Sequence, residues 1–197
     1  MSRWQPDTRE RLERAALDLF TEHGFAETTV PQITARAGLT TRTFFRHFAD
    51  KREVLFANES DVAALASRMI AEAPADHTPM QIIAGNLEAV AAAQFAGGVD
   101  LFMERKAVIR SDEALQEREM HKVSGLSQAM HDGFVARGVD ELTAALTAQV
   151  TVAVFGTAIG RWLSAGGETD LPELLRDTLA RLRALMLDPG WETPAPG

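Results

Sequence analysis

Hydrophobic residues recur along this chain at spacings of three and four, which is the pattern of amphipathic helices. In the first such segment five apolar residues share one helical face: Leu12, Ala15, Ala16, Leu19 and Phe20. β-branched residues are scattered, and no Asn-Gly or Asp-Gly pair marks a hairpin. The sequence therefore predicts an all-α protein.

Capping residues and glycines divide the chain into about nine predicted helices. Asp7 with Glu10, and Thr29 with Gln32, form capping boxes. The predicted helices cover residues 7–23, 29–37, 41–48, 50–73, 79–95, 99–110, 112–137, 141–165 and 172–187. We expect residues 1–57 to form a three-helix DNA-binding domain with a helix-turn-helix. Residues 58–188 then form a helical bundle, and residues 189–197 a disordered tail.

The segment 28–51 encodes two short helices joined by a tight turn at Gly38, which is the arrangement of a helix-turn-helix. On the second helix Phe44 and Phe48 share the inner face, so the polar edge faces outward. Its N-terminal residues reach base edges in such motifs, and an arginine there can pair with guanine. The predicted DNA contacts, including phosphate contacts, are Thr29, Thr40, Thr41, Arg42, Thr43, Phe45, Arg46, His47 and Lys51.

The net charge of −8 by itself argues against a nucleic-acid partner, but the charges are distributed unevenly along the chain. Residues 1–57 carry nine basic and eight acidic side chains, whereas the remainder carries 11 basic and 20 acidic ones. Only the first quarter of the chain can approach a phosphate backbone without strong repulsion. The alternative for this segment is a helical hairpin that packs inside a larger bundle.

Thr8 through Leu55 resembles the DNA-binding domain of TetR-type transcriptional regulators. The matching stretches are 15–20, 24–25, 28–30, 33–40, 44–48 and Lys51, in the family's order and spacing. The resemblance implies a cytoplasmic homodimer whose C-terminal helical domain dimerises and senses a small ligand. The family commonly has a tyrosine where this chain has Phe45, and the chain contains no tyrosine. The tyrosine hydroxyl usually contacts a phosphate in this family, and phenylalanine cannot form that hydrogen bond. Phe45 is a candidate to contact a thymine methyl or a sugar instead, and Arg46 to supply the backbone contact.

The larger domain offers candidates for a mostly apolar ligand pocket, although plain core packing explains each of them as well. They are Phe95, Phe102, Met103, Met120, Met130, Phe134, Phe155 and Trp162, with Arg105 or Arg110 as an anchor for an anionic group. The stretch from Glu104 to Trp162 weakly resembles the C-terminal domain of mycofactocin-associated TetR-type regulators, which implies an acyl-CoA-like ligand.

Two C-terminal helices are candidates for a dimer interface, or alternatively for intramolecular core. The proposed interface residues are Ala148, Val152, Gly156, Leu175 and Leu182. A symmetric dimer would place two recognition helices on a near-palindromic operator, and a ligand would then weaken repression. The competing hypothesis is a helical protein-binding adaptor that uses DNA contact only for placement.

Catalytic, metal and membrane functions lack sequence support. The chain has no cysteine, which excludes disulfides and thiol chemistry. His121 follows Glu117 by four residues, but two ligands do not make a metal site. No phosphate loop or nucleophile motif occurs, and the N-terminus lacks the apolar core of a signal peptide. We expect no enzyme activity, no cofactor, no metal and no membrane partner.

Overall fold

The computed structural model describes residues 8–56, 59–94, 99–188 and 190, and these contain helices but no strand. The helices of this described part are α1 (Thr8–His23), α2 (Val30–Ala37), α3 (Thr41–His47), α4 (Glu53–Phe56), α5 (Glu59–Glu72), α6 (Pro79–Gln94), α7 (Val99–Arg110), α8 (Glu113–Ala136), α9 (Glu141–Ser164) and α10 (Leu171–Met186). The all-α prediction is confirmed.

The described part contains ten helices, whereas the sequence predicted about nine. Residues 50–73 were predicted as one helix, and the described residues of this segment form α4 and α5. Residues 57 and 58 lie between them, outside the described residues. Every other predicted helix end falls within one residue of the observed one. The predicted tail, apart from Gly190, also lies outside the described residues.

Local capping explains why the helices begin and end where they do. The Thr78–Gln81 pair caps α6, because each side chain bonds the other residue's backbone N–H. Asp50 Oδ1 accepts hydrogen bonds from the backbone N–H groups of Arg52 (2.8 Å) and Glu53 (2.9 Å) ahead of α4. Gly24 ends α1 with φ +83°, a conformation that favours glycine.

The chain folds into two compact units, and the first unit comprises Met1–Asp61 together with Gly97–Ser124. Its core is shared by six helices, represented by Leu12, Ile33, Phe44, Leu55, Ile109 and Leu115. Ion pairs also join α1 to α7, from Arg14 to Glu104 (3.1 Å) and from Glu13 to Arg105 (3.9 Å). The sequence predicted one domain boundary near residue 57, with everything before it in the first domain. The first compact unit instead contains two separate segments of the chain, so the predicted domain boundary stays a prediction.

The second unit comprises Val62–Ala96 and Gly125–Gly197, and its described helices pack around α9 and α10. One core cluster contains Ile70, Ile82, Met130, Phe134, Ala144 and Ala148. The Arg137 guanidinium donates to the carbonyl oxygens of Ile70 (3.0 Å), Ala73 (2.9 Å) and Pro74 (2.7 Å). These carbonyls lie at and just after the C-terminal end of α5, where a cation is favourable.

Candidate nucleic-acid interface

Helix α2 is fixed at both ends by residues that the sequence identified. At its start, the Thr29 backbone N–H donates to Gln32 Oε1 (2.7 Å), and the Gln32 backbone N–H donates to Thr29 Oγ1 (3.4 Å). At its end, Gly38 adopts φ +64°, and the Leu39 N–H donates to the Thr34 carbonyl (2.8 Å). The chain therefore turns sharply into α3 through the left-handed conformation that glycine allows.

Helix α3 has only seven residues, and its order comes from a cap and from the core. Thr40 Oγ1 accepts the backbone N–H of Thr43 (3.1 Å), so Thr40 is the N-cap of α3. Phe44 and Phe48 are fully buried, with ring centroids 5.4 Å apart. Two phenylalanines thus anchor the inner face of α3 to the hydrophobic core.

The opposite face of α3 is exposed to solvent and comprises Thr41, Arg42, Phe45 and Arg46. We call this set the reading face. Phe45 is 58% exposed despite being aromatic. The two arginines have no carboxylate partner among the described residues, whereas Arg36 pairs with Glu22 through two bonds of 2.9 and 2.7 Å. Two cations are therefore available for an external anion on a helix that the fold already holds in place.

The pairing of Arg36 with Glu22 shows how the other charges of this region are used. The hydrogen bond from Arg36 holds the pKa of the Glu22 carboxyl below its ordinary value, and it raises that of Arg36. Arg52 is likewise paired with Asp50 (3.0 Å). Such pairs neutralise charge near α2 and α4, so positive charge available to a phosphate is concentrated on α3.

Thr43 and His47 lie at the edges of the reading face rather than in its centre. Both are half-buried, and the Thr43 hydroxyl lies 2.9 Å from that of Thr40, within hydrogen-bonding distance. His47 Nε2 lies 3.5 Å from an Arg46 nitrogen. The predicted base contact of Thr43 therefore competes with its role in the cap, while the methyl group of this threonine stays available.

Lys51 is placed differently from the expectation of a phosphate contact. Its ammonium donates to the backbone carbonyls of Phe25 (2.7 Å), Ala26 (3.1 Å) and Thr28 (2.8 Å). It also lies 4.4 Å from the centroid of the Phe25 ring. An ammonium has three N–H donors, and all three are directed at the protein's own backbone. Lys51 therefore ties the loop between α1 and α2 to the segment after α3.

The predicted ligand residues are divided between the two units. Phe102, Met103, Arg105 and Met120 belong to the first unit, and Met130, Phe134, Phe155 and Trp162 to the second. Phe95 lies outside the described residues. Met130 and Phe134 share one buried cluster, whereas Met120 is 65% exposed. The Trp162 indole N–H donates to the Thr169 carbonyl (2.8 Å), so this buried ring has its polar group satisfied.

Arg105 is engaged inside the first unit. Burial lowers the pKa of its guanidinium, and Glu13, 3.9 Å away, acts in the opposite direction. The side chain thus lies close to a carboxylate of α1. Arg110, the other predicted anchor, is exposed at the end of α7.

The predicted dimer residues do not share one exposed face. Ala148 (1% exposed) and Leu175 (fully buried) pack into the core of their own unit, as in the intramolecular-core alternative and not as in the proposed interface. Val152 and Leu182 are half-buried, and Gly156 is exposed. The large hydrophobic residues exposed on α9 are instead Leu142 (70%) and Leu146 (58%), which the sequence did not identify. Because α9 is apolar on nearly every side, periodicity gave no signal for which side faces outward.

In the described part of the chain no group of three or more His, Asp or Glu residues is arranged to hold a metal ion. His121 and Glu117 lie 3.9 Å apart on an exposed face of α8. Among the described helices, α9 is long and apolar enough to cross a membrane by length and composition alone, a property that it shares with core helices of soluble proteins.

Comparison with known proteins supports the interpretation of this geometry. Residues 13–57 match the family model described as bacterial regulatory proteins, tetR family. The HTH-type transcriptional regulator TcmR of Streptomyces glaucescens is 33% identical over 181 residues, covering 85% of this chain and 77% of TcmR.

Many solved structures share the fold, including the following two. One is SmeT in complex with triclosan, with TM-score 0.58 at 22% identity, covering 96% of this chain and 99% of SmeT. The other is FadR from Bacillus subtilis in complex with stearoyl-CoA, with TM-score 0.60 at 19% identity, covering 88% of this chain and 96% of FadR. With the capped helix pair of the first unit and the extent of the match to TcmR, the chain belongs to the TetR family of helix-turn-helix transcriptional regulators.

Proposed function

We propose that this protein is a cytoplasmic repressor that binds a near-palindromic DNA operator as a homodimer and is released by a small, largely apolar ligand. The reading face of α3 is the observation that carries the proposal. It presents Arg42 and Arg46 without carboxylate partners in the described structure, on a helix whose inner face is buried. That combination suits insertion into a major groove, where side chains near the N-terminus of such a helix contact base edges.

The dimer is supported by the exposed face of α9 within the second unit. Leu142 and Leu146 lie one turn apart on this face, and Gly156 continues it toward the C-terminal end. A Cβ added at Gly156 or Gly160 would meet no atom within 4 Å, so a second helix can approach closely there. Only 33% of the most apolar stretch of α9 is buried, which leaves apolar area for a two-fold interface.

The ligand is supported by the buried apolar residues of the second unit and by two relatives of the same fold. Met130, Phe134 and Trp162 are buried, and Phe155 is half-buried. SmeT was solved with triclosan, which is largely apolar, and FadR with stearoyl-CoA, which carries a long apolar acyl chain. We propose that these four residues line the ligand site, with methionine adapting to the ligand's shape.

The proposal is tested by an electrophoretic mobility shift with fragments from the source genome, followed by footprinting of the shifted fragment. We expect one protected, near-palindromic site with two half-sites about one helical turn apart, or a multiple of that spacing. Binding to all fragments with equal affinity at about 150 mM salt would refute sequence-specific recognition. Titration of long-chain acyl-CoA and of a neutral apolar compound into the complex then tests release.

A further inference from the structure

The reading face of α3 includes one apolar side chain among polar and charged ones. Phe45 is 58% exposed, while the adjacent Phe44 is fully buried. Within the described residues 8–56, no other large hydrophobic side chain is exposed to this extent. An isolated exposed apolar residue is ordinary on a protein surface, but this one lies among the side chains proposed to meet DNA.

The Phe45 ring is held in place from below. Its centroid lies 5.5 Å from that of Phe44, with the rings at 84°, which is the favourable edge-to-face arrangement. Phe44 in turn packs against Phe48 in the core. A phenylalanine has only two side-chain torsions, so this ring loses little freedom when it contacts a partner. The fold therefore presents an oriented apolar surface.

The chemistry of that surface narrows what it can recognise. A phenyl ring has no hydrogen-bonding group, so it cannot bond a phosphate or the polar edge of a base. Thr41 lies four residues before Phe45 and Arg46 directly after it, so the ring sits between groups suited to polar edges. In the major groove the apolar group of a base pair is the C5-methyl of thymine.

We propose that Phe45 is a specificity-determining residue that reads a thymine through its 5-methyl group in each half-site. This inference rests on the proposed DNA-binding function. Uracil at that position keeps every hydrogen-bonding group of thymine and lacks only the methyl. Cytosine also lacks the methyl, and 5-methylcytosine carries one at the same ring position.

The test uses the footprinted operator with each thymine of the half-sites replaced in turn by deoxyuridine. Affinities of the full-length protein are measured by fluorescence anisotropy at fixed salt. We expect one thymine per half-site whose demethylation weakens binding about fourfold, the effect of withdrawing one buried methyl group from contact. Cytosine at that position should be bound more weakly than 5-methylcytosine.

The Phe45→Ala variant identifies the residue responsible. It should bind the thymine and deoxyuridine operators equally, so the two changes are non-additive in a double-mutant cycle. Phe45→Leu keeps an apolar side chain and should retain part of the discrimination, which covers the case in which alanine binds too weakly to measure. Val99→Ala, at an exposed apolar residue of the same unit (42%), is the control and should retain the full fourfold effect.

Two results would overturn the inference while leaving the proposed function intact. One is an operator in which no thymine is sensitive to demethylation. The other is a deoxyuridine effect of the same size in wild type, Phe45→Ala and Phe45→Leu, which would assign the methyl contact to another side chain. Failure of the wild-type protein to bind any duplex specifically would instead refute the proposed function itself, and this inference with it.

Discussion

The Lys51→Met variant distinguishes a structural lysine from a DNA-contacting one. Methionine keeps an unbranched, mostly apolar side chain of similar length and removes the ammonium. The change deletes hydrogen bonds to the carbonyls of Phe25, Ala26 and Thr28 and the contact with the Phe25 ring. Those three carbonyls lie in the loop that positions α2, so losing these hydrogen bonds should destabilise the helix-turn-helix.

The expected destabilisation is about 2–4 kcal/mol. A hydrogen bond to a charged group contributes about 1.5–3 kcal/mol, and a partly exposed cation–π contact about 0.5–1 kcal/mol. The expected loss is smaller than the sum of three hydrogen bonds and one cation–π contact, because the three bonds share one ammonium on a half-buried side chain and water can replace part of them. For a chain of 197 residues, this corresponds to a melting temperature lowered by about 5–15 °C.

The assay combines thermal melting with operator affinity measured over a range of salt concentrations. If Lys51 is structural, the slope of log K against log salt is unchanged once measured well below the lower melting temperature. Lys51→Arg is the control, because it keeps the charge but its planar fork cannot direct three N–H groups as an ammonium does. A melting temperature equal to that of wild type, together with a slope reduced by about 0.9 per lost phosphate contact, would refute this assignment.

Four further outcomes follow from the described contacts. Arg42→Ala should lose about 1–3 kcal/mol of discrimination at one operator position, measured with a panel of single-base variants; an equal loss on every sequence would make it a phosphate contact. Gly38→Ala should destabilise by about 1–2 kcal/mol in urea unfolding, because φ is +64° there, and a stability equal to wild type would contradict the strain. Leu146→Glu should convert a dimer to a monomer in sedimentation equilibrium, and an unchanged mass would remove this face of α9 from the interface. Burial raises the pKa of Asp50, but hydrogen bonds from the Glu53 backbone and from Arg52 outweigh burial and hold this pKa below its ordinary value. Ionised Asp50 therefore stabilises the fold above about pH 4, and this stabilisation is lost as the pH falls further. Asp50→Asn should accordingly reduce the pH dependence of the urea midpoint on the acid side.

The elements of this fold could be predicted because their signals are local. Thr29 with Gln32, and Thr40 with Thr43, satisfy backbone groups within three residues, so a short stretch of sequence contains the whole interaction. Phe44 and Phe48 fall on one face by helical spacing alone. The reading face could be predicted from the same periodicity, since it comprises the residues of α3 that do not point toward the core.

The predictions that differed depend on contacts distant in sequence. Lys51 looked like a surface cation, and its carbonyl acceptors lie 23 to 26 residues earlier in the chain. Ala148 lies on α9, which is apolar on most sides, and Leu175 lies on α10. Only the packed structure shows that both residues face inward. Periodicity shows which residues share a face of a helix, but what that face packs against depends on the rest of the fold.

The brevity of α3 has an evolutionary consequence. Seven residues are too few for a helix to persist alone, so its geometry is dictated by the scaffold and not by the side chains it displays. Thr41, Arg42 and Arg46 are exposed to solvent, whereas Phe44 and Phe48 are buried in the core. Operator preference can therefore change by substitution of a few solvent-exposed residues of α3 while the residues that hold the helix in place stay the same.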